Sequence, residues 1–195
     1  MLIGIVGLER TGKDTVANYL VKNHNFLKYN LAHPIKQIGK IMFNWDINEM
    51  ETNKKDEIDI NTGIVPRDFY KWFGTQICQF EIYKKFPELK EKIPERHMWS
   101  HIMKNYVLEK RNKNKNANII IPDIRFLHEV SVIKELGGKL IYLDRIQNPN
   151  FDNYDLKEIM KKENNYIDYT LENRETIELL YKSIEHLIKI IKNKK

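Results

Sequence analysis

The chain has 195 residues, 42% of them hydrophobic and 11% aromatic, and 33 basic against 27 acidic side chains give it a formal net charge of +6. This length builds one sizeable core and is short for two ordinary domains, so we expect a single domain over residues 1–195. The one cysteine, Cys78, excludes an intrachain disulfide and a cysteine-based zinc framework. Charged residues interrupt each apolar run before it reaches the length of a secretory or membrane segment, so we expect a cytoplasmic protein without a membrane partner.

The first predicted element is a strand at Leu2–Val6, an apolar run rich in β-branched residues. Such a run is typical of a strand buried on both faces of a parallel sheet, so we expect it to be the central strand. From Thr15 onward, apolar residues recur at helical spacing. The later elements are predicted, in chain order, as a strand at 26–31, helices that begin at Pro34, Pro66 and about Glu95, a strand at 119–121, a helix at 129–136, strands at 139–143 and 167–171, and a helix at 176–191. The charged and polar stretch 46–61 predicts a surface excursion, and the lysine- and asparagine-rich run 111–118 predicts a solvated loop.

Strands that alternate with helices in this way predict an α/β domain with a parallel sheet of about five strands and helices on both faces. In such sheets, functional groups collect at the carboxyl ends of the strands. Gly7, Asp123 and Arg145 each come at or near the end of a predicted strand. We therefore expect these residues to mark the functional edge of the sheet.

The segment Gly7-Leu-Glu-Arg-Thr-Gly-Lys-Asp-Thr15 contains the G-x-x-x-x-G-K core of a phosphate-binding loop, placed between a strand and a helix. Glycines let backbone N–H groups turn toward phosphate oxygens, and Lys13 reaches the β- and γ-phosphates. This context predicts the three-layer P-loop NTPase fold with ATP as cofactor. The residues predicted to contact ATP are Gly7, Arg10, Thr11, Gly12, Lys13, Asp14 and Thr15.

Asp14 departs from the usual loop, in which a serine or threonine at this position ligates Mg²⁺. The next hydroxyl is that of Thr15, one position later. A carboxylate beside a triphosphate is repelled unless a cation or a hydrogen-bond donor is shared. The sequence leaves several roles for Asp14: it holds an acceptor hydroxyl, orients an arginine, binds the waters of Mg²⁺, or is a helix-terminal acid favoured by the helix dipole.

Further blocks follow this loop in order: Pro66-Arg67 with Phe73-Gly74-Thr75, then Ile121-Pro122-Asp123-Ile124-Arg125-Phe126 with Glu129 and Gly137-Gly138, then Asp168–Asn173. Together with the Gly-x-Lys-Asp-Thr loop, they resemble the deoxynucleoside monophosphate kinases of phages and large DNA viruses. The resemblance extends over nearly the whole chain. It implies an enzyme that uses ATP and Mg²⁺ to phosphorylate a deoxynucleoside monophosphate (dNMP), located in the host cytoplasm if the protein is viral.

The resemblance also implies roles for single residues. It implies that Lys13 and the loop glycines bind ATP, that Arg67 and Arg125 face the acceptor phosphate, and that Lys36 matches a lysine of the family. With the residues at the loop and the strand ends added, we expect the catalytic residues to be Lys13, Asp14, Arg125 and Arg145. We expect the acceptor to be bound by Asp14, Lys36, Arg67, Thr75, Asp123 and Arg125, and Mg²⁺ to be held by Thr15 and Asp123. Arginine suits a phosphate because its planar guanidinium donates two hydrogen bonds and stays charged. Arg67 belongs to a helical acceptor-binding region at about 46–111, and Arg145 opens a lid-like segment at about 145–165.

Two other functions fit the same loop. A related P-loop kinase for phosphomevalonate or a coenzyme precursor would share the fold and differ in the acceptor pocket. An ATP-dependent switch protein is the second alternative, although Arg67 and Arg125 speak against it because a switch has no second phosphate to hold.

Two other sequence features favour simpler interpretations. His97 and His101 have the spacing of a zinc pair but lack a third ligand, so we expect ordinary helix histidines. Lys110–Lys115 lacks interleaved aromatic residues, so we expect no stable nucleic-acid binding. The sequence leaves a homodimer open.

Overall fold

The computed structural model describes residues 1–145, 154–161 and 165–193. Its strands are β1 (Leu2–Val6), β2 (Phe26–Lys28), β3 (Asn118–Ile121), β4 (Lys139–Asp144) and β5 (Tyr169–Glu172). Its α-helices are α1 (Lys13–His24), α2 (His33–Phe43), α3 (Pro66–Lys71), α4 (Ile82–Lys85), α5 (Met98–Lys113), α6 (Leu127–Glu135), α7 (Tyr154–Met160) and α8 (Ile177–Asn193). A π-helix spans Trp72–Glu81, and short 3-10 helices lie at Glu49–Glu51, Asn53–Asp56 and Pro87–Glu91.

The chain forms two compact units, of which the first comprises residues 1–30 and 104–195 and contains the sheet. The strand order is β2-β3-β1-β4-β5, and each neighbouring pair is parallel. β1 pairs with β3 and β4, with Leu2 opposite Ile119 and Gly4 opposite Leu140. The prediction that the chain opens with the central strand of a parallel sheet is therefore confirmed.

Helices cover both faces of this sheet. Ile3 and Ile5 of β1 point to one face, where they join buried residues of α1 and α8 in one cluster. Gly4 faces the opposite layer, since a Cβ there would lie 3.0 Å from Leu140 Cδ1 and 3.3 Å from Ile133 Cγ1 of α6. Because successive residues of a strand point to opposite faces, β1 is packed from both sides. The predicted three-layer arrangement is confirmed.

The second unit, residues 31–103, is mainly helical. Its core contains Trp45, Met50 and Phe69, which are buried against one another. α2 packs closely here, because a Cβ at Gly39 would lie 2.9 Å from both Trp45 Cε3 and Tyr70 Cε1. α3 continues directly into the π-helix, a rare geometry that often occurs at functional sites.

Several segments differ from the sequence prediction. The stretch 111–118 is not wholly a loop, because α5 continues through Lys113. Basic side chains are favoured in the last turn of a helix, and Arg111 Nη1 also donates to the Leu136 carbonyl at 2.8 Å. β2 ends at Lys28, earlier than predicted.

The single-domain organisation and the lid stay predictions. Of the lid segment, residues 146–153 and 162–164 lie outside the described residues. No helix in the part of the chain that the structure describes is long and apolar enough to cross a membrane.

Candidate phosphate-binding and acceptor residues

The phosphate loop runs from the end of β1 to the start of α1, and glycine is required by close packing at Gly7 and by backbone conformation at Gly12. A Cβ at Gly7 would lie 2.8 Å from the Leu143 carbonyl oxygen. Gly12 has a φ of 98°, a left-handed conformation, and a Cβ there would lie 2.7 Å from Asn173 Nδ2. The loop is fixed from inside as well, because the buried Thr11 donates its hydroxyl to the Leu8 carbonyl at 2.9 Å.

Lys13 lies at the first position of α1, and its ammonium folds back over the loop. It donates to the carbonyl oxygens of Gly7, at 2.9 Å, and of Leu8. Partial burial lowers the pKa of Lys13, and the positive charge of Arg125 lowers it further. Asp14 and Asp123 oppose this shift by raising the pKa of Lys13. Because burial is the largest cause of this shift, an anion bound beside the ammonium would stabilise its charged form.

The end of β3 brings Asp123 and Arg125 toward this ammonium. The backbone N–H of Ile124 donates to the Ile5 carbonyl at 3.2 Å, so the chain after β3 still runs beside β1. Asp123 and Arg125 flank Ile124, so both follow β3 at the carboxyl end of the sheet, and both are near enough to Lys13 to affect its pKa. The structure thus brings together three of the residues predicted from the sequence.

Glu129 holds the loop that carries Arg125. One oxygen of its carboxylate, Oε2, accepts the backbone N–H groups of Arg125 at 2.7 Å and of Phe126 at 3.1 Å. The residue is 3% exposed, and this burial raises its pKa to about 8, although the two N–H groups act in the opposite direction. The sequence motif contained Glu129 without giving it a role. The sequence does carry one indication of this role, because Glu129 is the third residue of α6, a position where glutamate commonly caps the start of a helix.

Asp14 forms an ion pair that the sequence did not suggest. Lys28 Nζ, at the end of β2, donates to Asp14 Oδ1 at 2.7 Å and to Asn18 Oδ1 at 3.1 Å. Asp14 and Asn18 lie one turn apart on α1, so the ammonium bridges two oxygens of one helix face. Thr15 follows on the first turn of α1 and is partly buried.

On the side away from β3, the phosphate loop is contacted by residues that directly follow β4 and β5. Arg145, just after β4, donates from Nη1 to the carbonyl oxygen of Arg10 at 3.4 Å. Asn173, just after β5, donates from Nδ2 to the Thr11 carbonyl at 2.7 Å. Arg10 itself has a positive φ of 62°. Asn173 was part of a matched motif without a role, and only the folded chain shows that it touches the phosphate loop.

The other predicted residues belong to the second unit. Arg67, on α3, forms a two-pronged ion pair with Asp56, in which Nη2 to Oδ2 measures 3.0 Å. Lys36, on α2, pairs with Glu51. Thr75 is exposed on the π-helix. Both predicted cations of this unit thus have carboxylate partners.

A protein-only metal site is not formed by the residues that the structure describes. Among them, no group of three or more histidine, cysteine, aspartate or glutamate side chains is arranged to hold a metal ion. His97 lies just before α5 and His101 in its first turn, and the N–H of His101 donates to the His97 carbonyl at 2.8 Å. The assignment of Thr15 and Asp123 to Mg²⁺ stays a prediction.

Known proteins share both the sequence pattern and the fold. The deoxynucleotide monophosphate kinase family matches this chain over residues 1–70 and 91–184. A protein of Acanthamoeba polyphaga mimivirus, named "Putative deoxynucleotide monophosphate kinase", is 30% identical over 187 residues that cover 94% of each chain. The dephospho-CoA kinase of Campylobacter jejuni has the same fold, with a TM-score of 0.51 at 13% identity over 97% of this chain and 96% of its own.

The resemblance to this family is confirmed by the family match, which covers the phosphate loop, the end of β3 and the N-terminal part of α8. The chain is therefore a kinase with a three-layer P-loop fold, and it belongs to the deoxynucleotide monophosphate kinase family.

Proposed function

We propose that this kinase transfers the γ-phosphate of ATP to a dNMP and releases ADP and the deoxynucleoside diphosphate. The observation that carries the proposal is the placement of Arg125, which Glu129 holds by its backbone N–H just after β3, at the end of the sheet where Lys13 lies over the phosphate loop. Lys13 is placed to bind the phosphates of ATP, whereas the permanently charged Arg125 suits the phosphate of a second substrate. Family membership supports a deoxynucleotide as this second molecule.

The residues around Lys13 fit a triphosphate. Gly12 precedes α1 and has no side chain to cap it, so the N–H groups of the first turn are left for another acceptor. Lys13 donates to loop carbonyl oxygens, and the lowered pKa of its ammonium indicates that added negative charge nearby would be favourable. We therefore assign ATP phosphates to the loop Gly7–Thr15.

The residues also fit Mg²⁺ held mainly by phosphates and water. Magnesium in proteins commonly uses only one or two carboxylates, and Asp123 would supply one. Thr15 would supply a hydroxyl in place of the one that Asp14 lacks. When bound together with ATP, Mg²⁺ would supply positive charge that offsets the negative charge developing on the phosphates during transfer.

Catalysis in this scheme comes from positioning and electrostatics, with direct in-line transfer and no covalent enzyme intermediate. Lys13 accompanies the migrating phosphoryl group, and Arg125 orients the acceptor phosphate. Arg145 is assigned to neutralising charge on the transferred phosphoryl group, because its guanidinium contacts the carbonyl oxygen of Arg10 in the phosphate loop.

In the second unit, we assign Lys36, Arg67 and Thr75 to the acceptor. Arg67 uses two of its N–H groups on Asp56, an arrangement that orients the guanidinium. Such a partly exposed pair is weak enough to exchange for a phosphate. Lys36 is held in the same way by Glu51.

A coupled assay of ADP release tests the proposal across dNMPs, ribonucleoside monophosphates, phosphomevalonate and dephospho-CoA. We expect the highest kcat/KM with a dNMP. A preference for phosphomevalonate or dephospho-CoA would favour the related small-molecule kinases instead. ADP release that does not depend on any acceptor would favour the switch protein.

A further inference from the structure

The phosphate loop carries a negative charge where a triphosphate is expected. Asp14 follows Lys13 directly, and its carboxylate is close enough to raise the pKa of the Lys13 ammonium. The same field that stabilises an ammonium repels phosphate oxygens. A loop with an uncompensated carboxylate here would bind ATP less tightly than the ordinary serine or threonine loop.

The structure supplies a cation for this carboxylate from outside the loop. The Asp14 side chain is 75% exposed, whereas that of Lys28 is 24% exposed, so the stem of Lys28 is largely packed while its ammonium meets the carboxylate. Contacts to Asp14 at 2.7 Å and to Asn18 at 3.1 Å occupy two of the three N–H groups of that ammonium. Lys28 is thereby fixed at the first turn of α1, beside the loop.

The fold fixes the position of Lys28 relative to Asp14. It is the last residue of β2 and pairs in register with Ile120 of β3. Strand pairing therefore sets where its backbone lies, and the partners Asp14 and Asn18 lie on a regular helix. Both elements belong to the same compact unit.

We propose that Lys28 is a positioning residue that neutralises Asp14 and orients its carboxylate, so that a phosphate loop with an acidic residue accepts ATP. This inference rests on the proposed function, because it assigns ATP to the same loop. Asp14 and Lys28 then act as one neutral pair beside the phosphate loop.

A double-mutant cycle on the full chain tests the pair, with ATP affinity measured by calorimetry in the presence of Mg²⁺. Lys28→Met leaves Asp14 uncompensated and should weaken ATP binding about threefold to tenfold, more at low salt than at high salt. Asp14→Asn should leave ATP binding equal or tighter. In the double variant, ATP affinity should return to within about twofold of the wild type, because the repulsive charge is gone as well.

Two controls separate this role from a general effect of charge or folding. Lys22→Met removes an exposed lysine from the other end of α1 and should not alter ATP affinity. Lys28→Arg keeps the charge and should retain most of the affinity. Melting temperatures show whether each variant is folded, and recovery in the double variant rules out a misfolded Lys28→Met.

The inference is overturned if Lys28→Met binds ATP like the wild type, if the double variant is no better than Lys28→Met, or if Lys22→Met has the same effect. Each of these results leaves the proposed function intact as long as the wild type binds ATP and phosphorylates a dNMP. A wild type that binds no ATP overturns both.

Discussion

The carboxylate of Glu129 accepts the backbone N–H of Arg125 at 2.7 Å from a position that is almost wholly buried. Burial disfavours the charged form, and it raises the pKa of Glu129 from 4.5 to about 8. The folded state therefore retains a proton that the unfolded state releases between about pH 4.5 and pH 8. As a result, Glu129 lowers the stability of the fold as the pH rises through this window, and the effect is constant above it.

Glu129→Gln should remove this pH dependence, because glutamine is neutral and its amide oxygen can still accept both N–H groups. The free energy of unfolding of the variant relative to the wild type should rise by up to about 4 kcal/mol between pH 5 and pH 8, at about 1.4 kcal/mol per pH unit. Urea unfolding of both proteins at several pH values measures this difference in the free energy of unfolding. Glu135→Gln, on the exposed side of α6, is the control. A difference between Glu129→Gln and wild type that does not change with pH would contradict the account.

Lys13→Ala should lose most of the turnover, because the ammonium is assigned to the migrating phosphoryl group. We expect kcat to fall at least about a hundredfold. The melting temperature should stay close to that of the wild type, since the side chain is only half-buried and contacts loop carbonyl oxygens. Steady-state kinetics with the best acceptor measure the effect, with Lys22→Ala as the control. Near-normal turnover of Lys13→Ala would show that the phosphate-loop assignment is wrong.

Arg125→Ala should separate the two substrates. Arg125 is exposed and is assigned to the acceptor phosphate, so its loss should raise the KM for the dNMP, lower kcat, or both. We expect kcat/KM to fall by at least about tenfold, whereas ATP affinity by calorimetry should be nearly unchanged. Lost ATP binding with normal acceptor binding would reverse the assignment.

Asn173→Ala should loosen the phosphate loop without touching its charges. The variant loses the 2.7 Å hydrogen bond to the Thr11 carbonyl, next to the left-handed Gly12. We expect the Kd for ATP to rise by about threefold to tenfold, the range for one lost hydrogen bond of about 1 kcal/mol. Asn112→Ala, at an exposed position of α5, is the matched control. An unchanged Kd would mean that this contact does not shape the ATP site.

Local patterns predicted the framework of the fold well. The apolar run at Leu2–Val6 and the following change of period identify a central strand, a loop and a helix, because each signal lies within a few neighbouring residues. The predicted loop at 111–118 is wrong over Arg111–Lys113, which belong to α5, because a basic polar stretch suits either a loop or the last turn of a helix. The π-helix left no distinct signal, because its apolar spacing resembles that of an α-helix.

Contacts between distant parts of the chain were not predictable in the same way. The ion pair of Asp14 with Lys28 depends on where β2 lies beside α1. The contact of Asn173 with Thr11 joins residues separated by 162 positions. Motif matching found Asp14 and Asn173 individually, but only the sheet order shows which groups they touch.

Identifying the reaction product tests the proposed phosphorylation of a dNMP. The wild type would be incubated with ATP, Mg²⁺ and each common dNMP, and the nucleotides would be separated by anion-exchange chromatography. We expect equal amounts of ADP and deoxynucleoside diphosphate with at least one dNMP, and neither product above background with Lys13→Ala. ADP and inorganic phosphate without any deoxynucleoside diphosphate, across the whole set of acceptors, would contradict this expectation.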